Sequence, residues 1–204
     1  KKMASIAILK TLIRELITTE RSPRIPEPDL IMDDPSKVEA FRKAGEINGV
    51  MAPVYIYHCA QICDIIKPGD HVIDLGCGPA NQLGLVAKCN PDTHFTGIDL
   101  SPEMLGKAAA FIKSEQLSNV LLQQDDISKL STIEDQSVDA IFSTVVLHHL
   151  PDEEHFFKTF QQIKRVLKPG GGLYIVDFAH LKSEKSINYF AYQYADRQPH
   201  LFTL

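Results

Sequence analysis

The segment HVIDLGCGPANQL, residues 71–83, decides the fold. Its first residues, His71–Leu75, form a short apolar run that is typical of a buried strand. The glycine pair Gly76 and Gly78 follows, and residues without Cβ let the backbone turn sharply and approach a ligand closely. The helix that this pattern predicts from Asn81 onward would offer free N–H groups at its start. A G-x-G pair alone accompanies a purely structural turn about as often as a ligand site, so its meaning depends on the neighbouring segments.

Short apolar segments alternate with amphipathic ones on both sides of the glycine pair. The predicted strands are His71–Leu75, His94–Ile98, Val120–Gln123, Val138–Ser143 and Gly172–Phe178. The predicted helices between them are Asn81–Cys89, Pro102–Glu115 and Asp152–Leu167. Such alternation requires parallel strands joined by crossovers. We therefore expect an α/β fold, a three-layer, Rossmann-like open sheet that is mostly parallel.

Helices are also predicted before the sheet begins. Apolar residues recur at helical spacing over residues 3–20, and the Pro-rich segment 22–29 cannot continue that helix. Ser36 is a candidate cap for a second helix ending near Gly45, and Pro53 suits the first turn of a third. We predict an N-terminal helical extension over residues 1–50 and a ligand-binding domain over residues 51–204.

Composition excludes several classes of function. The formal net charge is −5, and no Lys/Arg run is longer than the initial pair, which argues against nucleic acid as a partner. No apolar stretch is long enough for a membrane span, and no signal-peptide pattern is present, so a cytoplasmic protein is expected.

The cysteines predict no metal site. Four are present, Cys59, Cys63, Cys77 and Cys89. Cys59 and Cys63 share a helix face with His58 nearby, but no second Cys/His pair has the usual zinc spacing. We therefore expect reduced thiols packed in the core.

Acidic residues end two of the predicted strands. Asp99 follows the second strand, 23 positions after Gly76, close to the spacing at which a carboxylate meets a ribose in nucleotide-binding units. A helix cap is the alternative for Asp99, although Ser101 suits that role. After the third strand, Asp126 could accept a hydrogen bond from an adenine amino group while the N–H of Ile127 serves a ring nitrogen. A solvated acidic turn is the alternative there.

In this order, the motifs resemble those of the class I S-adenosylmethionine-dependent methyltransferases. The glycine motif matches from Asp74 to Gly78, the ribose-acid motif at GIDLS, and the adenine motif at QDD, and the resemblance covers about residues 45–180. It implies S-adenosyl-L-methionine as cofactor, with Asp74 and the glycine loop near its methionine portion and Ser143 flanking it. The predicted cofactor-binding residues are Asp74, Gly76, Gly78, Asp99, Leu100, Asp126, Ile127 and Ser143.

Three features of the chain differ from the methyltransferase motifs or from the dinucleotide-binding fingerprint. The family often has glycine where this chain has Ala80. Asn81 stands where a dinucleotide fingerprint requires Gly or Ala, which disfavours a nicotinamide oxidoreductase. The family sheet normally ends with an antiparallel hairpin, and the sequence after Phe178 predicts none, so we expect the domain to be incomplete at its C-terminus.

The resemblance places the methyl acceptor near the fourth strand. His148 and His149 follow that strand and are the candidate catalytic residues, since imidazole can remove a proton near neutral pH; loop packing is the alternative. Asp177 is a weaker candidate for contacting the acceptor. The Asn/Asp-Pro-Pro-Tyr signature of base and glutamine methylation is absent.

We expect a small-molecule acceptor, as in the quinone-precursor branch of the family. A non-catalytic cofactor-binding or assembly module is the alternative. The oligomeric state is left open, a dimer included.

Overall fold

The computed structural model describes residues 2–19, 21–23, 31–178 and 180–192. The helices are α1 (Lys2–Ile17), α2 (Pro35–Ala44), α3 (Ala52–Cys63), α4 (Asn81–Cys89), α5 (Pro102–Ser114), α6 (Glu153–Val166) and α7 (Glu184–Tyr192). The strands are β1 (His71–Leu75), β2 (His94–Asp99), β3 (Val120–Gln124), β4 (Val138–Thr144) and β5 (Leu167–Val176). In the described part of the chain, no helix is long and apolar enough to cross a bilayer.

The five strands form one parallel sheet in the order β3-β2-β1-β4-β5. This confirms the predicted open α/β sheet, and every strand pair in it is parallel. The central strand β1 pairs with β2 on one side and with β4 on the other, so the strand order reverses at its carboxyl end. In open α/β sheets, ligands bind in the crevice at such a reversal point.

Side chains alternate between the two faces of the sheet along the central strands, so their apolar residues pack into two cores, one on each face. Val72 and Phe95 pack with residues of α3, α4 and α5. Ile73 and Ile98 pack with α6 and with Leu130 on the other face. The arrangement is therefore three-layered within residues 31–177.

Side chains cap the starts of α2, α5 and α6. Ser101 Oγ accepts the N–H of Met104 at 3.0 Å, as the pattern indicates, and Asp152 caps α6. The predicted cap Ser36 is wrong, because Pro35 already lies within α2 and the carboxylate of Asp34 accepts the N–H of Ser36 at 2.9 Å.

The predicted start of β5 is also wrong. The strand begins at Leu167, directly after α6, and its residues 168–171 are accommodated by a register shift opposite β4 between Val138 and Ala140. The Pro-Gly-Gly-Gly stretch suggests a simple turn. In the structure, Leu167 pairs with Val138, so the strand begins before this stretch and includes it.

The chain divides into two compact units. One holds the sheet, within residues 31–177, and the other contains α1 and α7. In the second unit, the carboxylate of Glu15 accepts the N–H groups of Lys182 and Ser183 at 2.6 and 3.1 Å. The predicted domain boundary near residue 50 stays a prediction. Residues 193–204, where the family's last strands were considered, lie outside the described residues.

Candidate functional site

The glycine loop lies at the carboxyl end of β1 and is tied to β2. The N–H groups of Gly76 and Cys77 both donate to the carbonyl of Ile98, at 2.8 and 2.9 Å. Backbone φ is positive at Gly76 (73°), Gly78 (51°) and Ala80 (64°). Left-handed backbone costs an alanine about 1 kcal/mol or more, which explains why the family prefers glycine at the third position.

The two glycines face different surroundings. A Cβ on Gly76 would lie 2.4 Å from Cγ1 of Val146, so this residue must be glycine for the loop after β4 to approach. A Cβ on Gly78 would meet nothing closer than the ring of Phe41, at 3.7 Å. A Cβ on Gly78 would therefore fit in ordinary van der Waals contact with Phe41, and its positive φ is the reason that the loop needs glycine here.

Asp99 braces this loop. Its Oδ2 accepts the N–H of Gly78 at 2.8 Å, and its Oδ1 accepts the N–H of Ser101 at 2.9 Å. Burial raises the pKa of Asp99, while these donors and the nearby His149 act in the opposite direction. The adjacent Leu100 accepts the side-chain amide of Gln124 through its carbonyl, at 3.1 Å.

Asp74 is a buried acid at the end of β1 with no hydrogen-bond donor among the described residues. Burial raises its pKa well above the ordinary value, and the charge of Asp99 raises it further. Burying a carboxylate without a partner is costly, so its retention beside the loop is typical of a functional site.

Two amide side chains at the start of α4 carry unpaired oxygens. Nδ2 of Asn81 donates to the carbonyl of Arg42, and Nε2 of Gln82 donates to that of Tyr55, each at 3.2 Å. Oδ1 of Asn81 and Oε1 of Gln82 are buried without a partner. No side chain caps α4 either. This end of the helix therefore offers unpaired acceptors and backbone donors at the loop.

Asp125 and Asp126, after β3, differ in their partners. Asp125 accepts the N–H of Thr132 at 3.1 Å and its hydroxyl at 2.7 Å, so this carboxylate holds a local turn. Oδ1 of Asp126 accepts the N–H and hydroxyl of Ser128, and Lys129 lies 2.8 Å from Oδ2. Ile127 packs against the core on the α6 face. The adenine role of Asp126 and Ile127 stays a prediction.

On β4, Ser143 is buried, and its hydroxyl donates to the carbonyl of Leu75 at 2.9 Å, which links β4 to β1. Beyond the strand, Val145 has a φ of 61°, an unusual value for a β-branched residue. Its N–H donates to the carbonyl of Val176 at 2.8 Å. The contact of Ser143 with the cofactor stays a prediction.

His148 and His149 lie on a short 3₁₀ helix, Leu147–His149, after β4. Nδ1 of His148 is 2.7 Å from Oδ1 of Asp177, and the imidazole rings of His148 and His149 are in contact, tilted by 40° with centroids 4.0 Å apart. The other oxygen of Asp177 accepts backbone N–H groups of the loop, including that of Val146 at 3.0 Å. The structure thus brings both predicted histidines to the carboxyl edge of the sheet, one of them oriented by the predicted acid.

A family model described as a methyltransferase domain matches residues 66–198, well over half of the chain. The chain belongs to this methyltransferase family. The parallel sheet and the placement of the glycine loop and Asp99 are those of its class I, S-adenosylmethionine-dependent members.

Known methyltransferases match the same region. An arsenite methyltransferase of Halobacterium salinarum is 34% identical over 113 residues, 55% of this chain and 28% of its own length. A trans-aconitate 2-methyltransferase of Deinococcus radiodurans is 36% identical over 107 residues, 52% of this chain and 37% of its own. This methyltransferase chain therefore matches less than half of the length of each of these relatives.

A solved structure shares the fold. A SAM-dependent methyltransferase from Aquifex aeolicus superposes with a TM-score of 0.60 at 24% identity, covering 75% of this chain and 77% of its own. At this identity the likeness supports the methyltransferase fold alone.

Several residues that lie at the site were not predicted from the sequence. Phe41 and Val146 border the glycine loop, and the carbonyl of Tyr55 accepts the side-chain amide of Gln82 just after it, only because α2, α3 and the loop after β4 converge there. The side-chain oxygens of Asn81 and Gln82 carry no sequence signal beyond their position after the glycines.

Proposed function

We propose that this chain binds S-adenosyl-L-methionine and transfers its methyl group to a small-molecule acceptor by direct displacement. The observation that carries the proposal is the carboxylate of Asp99, held 2.8 Å from the N–H of Gly78 at the strand end next to the glycine loop. A carboxylate in this place can accept both ribose hydroxyl protons.

The residues around the loop fit the rest of the cofactor. The unpaired oxygens of Asn81 and Gln82 are acceptors for an ammonium group, and Asp74, at the end of β1, adds a buried carboxyl group. The first N–H groups of α4 are donors for a carboxylate. Gly78 has no Cβ to separate a ligand from the loop backbone. This set of hydrogen-bond donors and acceptors suits an amino acid joined to a nucleoside.

The cofactor would supply an activated methyl group on a sulfonium, so the protein's task is alignment and exclusion of water. A base is needed only when the acceptor loses a proton. We assign that role to His148, because the carboxylate of Asp177 accepts only hydrogen bonds and so keeps the proton of a neutral imidazole on Nδ1. The ring of His149 contacts that of His148, and His149 is the second candidate.

The acceptor class is proposed from the relatives and from charge. The relatives named above methylate arsenite and trans-aconitate according to their names, and both are small molecules. The chain carries a formal charge of −5, which disfavours nucleic acid. A cytoplasmic location is likewise a proposal.

Calorimetry and a turnover assay test the proposal together. Titration with S-adenosyl-L-methionine should show one site per chain, and incubation with a panel of small acids, phenols, amines and arsenite should release S-adenosylhomocysteine. Binding without turnover on any acceptor would favour the non-catalytic module instead. Absence of binding would reject both.

A further inference from the structure

Three cysteine sulfurs converge at the end of the sheet opposite the glycine loop. Cys59 and Cys63 lie one turn apart near the end of α3, and Cys89 is the last residue of α4. Sγ of Cys59 is 4.0 Å from Sγ of Cys63 and 3.9 Å from Sγ of Cys89, and all three sulfurs lie within 4.8 Å of one another. The sequence shows only the helical pair, because the third thiol comes from a different helix.

The spacing suits a thiophilic cation. Tetrahedral zinc with Zn–S bonds of about 2.3 Å holds its sulfurs about 3.8 Å apart. The two shorter separations are within a few tenths of an ångström of that value. A disulfide would require a pair of sulfurs to approach to about 2 Å.

The surroundings also suit a metal. Cys59 is buried and Cys89 is exposed, so one side of the cluster is walled by protein and the other is open to an entering ion. Nδ2 of Asn90 donates to Sγ of Cys63 at 3.2 Å, the kind of outer hydrogen bond that orients a metal ligand. His58 is not part of the cluster, since its Nδ1 pairs with the hydroxyl of Tyr174 at 2.8 Å.

We propose that Cys59, Cys63 and Cys89 bind one Zn²⁺ ion, with water as the fourth ligand. Each thiol gives its proton to solvent as its sulfur binds the ion. The site joins the ends of α3 and α4. Because α4 runs about 12 Å from the glycine loop to Cys89, at about 1.5 Å per residue, the ion binds away from the methyl donor and stabilises the scaffold.

The test uses the full chain, reduced and stripped with a chelator, and Co²⁺ as the optical probe. One equivalent should produce thiolate-to-cobalt charge-transfer absorption and the intense visible bands of tetrahedral Co²⁺. One equivalent of Zn²⁺ should then abolish them, and Zn²⁺ alone should raise the melting temperature. None of these readouts depends on methyl transfer, so the proposal stands or fails separately from the proposed function.

Two variants localise the site. Cys89→Ser changes an exposed residue, so it should fold normally, and it should weaken Co²⁺ binding by at least about tenfold. Cys77→Ser removes a buried thiol in the glycine loop and should retain the bands. No thiolate band in the reduced wild type, or a band that survives Cys89→Ser or disappears with Cys77→Ser, would overturn the proposal.

Discussion

One carboxylate, that of Asp177, positions both the side chain and the backbone of His148. Oδ1 lies 2.7 Å from Nδ1 of the imidazole, and Oδ2 accepts the N–H groups of Val146 and His148 at 3.0 and 3.3 Å. The acid at the end of β5 therefore sets the conformation of the loop that follows β4. In its geometry, the pair of His148 and Asp177 resembles the histidine–carboxylate pairs of other enzymes.

Asp177→Asn should lower kcat by about 10²-fold or more for an acceptor that must lose a proton. The amide nitrogen would face either the imidazole, where it reverses the tautomer, or the loop N–H groups, which then lose their acceptor. Loss of these hydrogen bonds should also lower the free energy of unfolding by about 1–3 kcal/mol. Steady-state kinetics and urea unfolding measure the two effects.

Asp139→Asn is the matched control. Asp139 lies at the opposite edge of the sheet, where it accepts the N–H of His71 at 2.9 Å and pairs with Lys168 at 2.7 Å. It should lower stability and leave kcat unchanged. Equal kcat in Asp177→Asn and wild type would show that the pair is structural only.

His149→Ala should reduce turnover without changing the affinity for S-adenosyl-L-methionine. The reason is that the ring of His149 contacts that of His148, with centroids 4.0 Å apart, so its removal loosens the ring that we assign as base. Single-turnover kinetics and calorimetry check the two quantities. Wild-type turnover would remove His149 from the site.

Asp99→Ala should weaken cofactor binding by about 1–3 kcal/mol, because charge-assisted hydrogen bonds to the ribose are lost. Calorimetry gives the difference directly. Asp139→Ala is the control: its carboxylate accepts the N–H of His71 and pairs with Lys168 at the opposite edge of the sheet, so stability should fall while affinity is kept. If both variants bind alike, the ribose assignment is wrong.

Gly76→Ala and Gly78→Ala should fail in different ways. At Gly76 the new Cβ would meet Val146 at 2.4 Å, so the fold should lose about 1–3 kcal/mol. Val146→Ala should restore part of that loss. At Gly78 the nearest atom is 3.7 Å away, so we expect a smaller loss of stability and a large loss of cofactor affinity. Thermal melts with and without S-adenosyl-L-methionine separate these outcomes, and equal affinities would contradict the proposed approach of the ligand to Gly78.

Asp74→Asn should stabilise the free protein above neutral pH and weaken cofactor binding. Because the folded pKa of Asp74 is raised, the folded state holds its proton more tightly than the unfolded state does, and stability is lost as pH rises through the folded pKa. The stability difference between variant and wild type should therefore grow with pH. Urea unfolding from pH 5 to 9 tests this, and a difference independent of pH would contradict the assigned shift.

The sequence predicts the sheet well because its signals are local. β1 and α4 have the predicted bounds, since an apolar run, a glycine pair and an amphipathic segment each specify their own conformation. The error in β5 occurs where a distant partner decides. β5 starts at Leu167 because Val138 is available to pair with it, and no local pattern reveals that.

In the candidate site too, local spacing predicts some residues and tertiary packing decides the others. Asp99 was predicted because its spacing from Gly76 follows from one βαβ unit. The approach of Phe41 to Gly78 and of Tyr55 to Gln82 depends on how α2 and α3 fold back, which is set by tertiary packing. The pairing of Asp177 with His148 joins residues 29 positions apart on neighbouring strand ends, so only the strand order reveals it.

Val145 gives the loop after β4 a further property. Its left-handed backbone costs about 1–3 kcal/mol for a β-branched residue, and the conformation persists because the carbonyl of Val176 accepts the N–H of Val145 and the carboxylate of Asp177 accepts that of Val146. A loop held so firmly cannot reshape itself around different acceptors. Divergence in acceptor choice among related proteins should therefore arise through replacement of other segments, while this corner of the sheet is inherited unchanged.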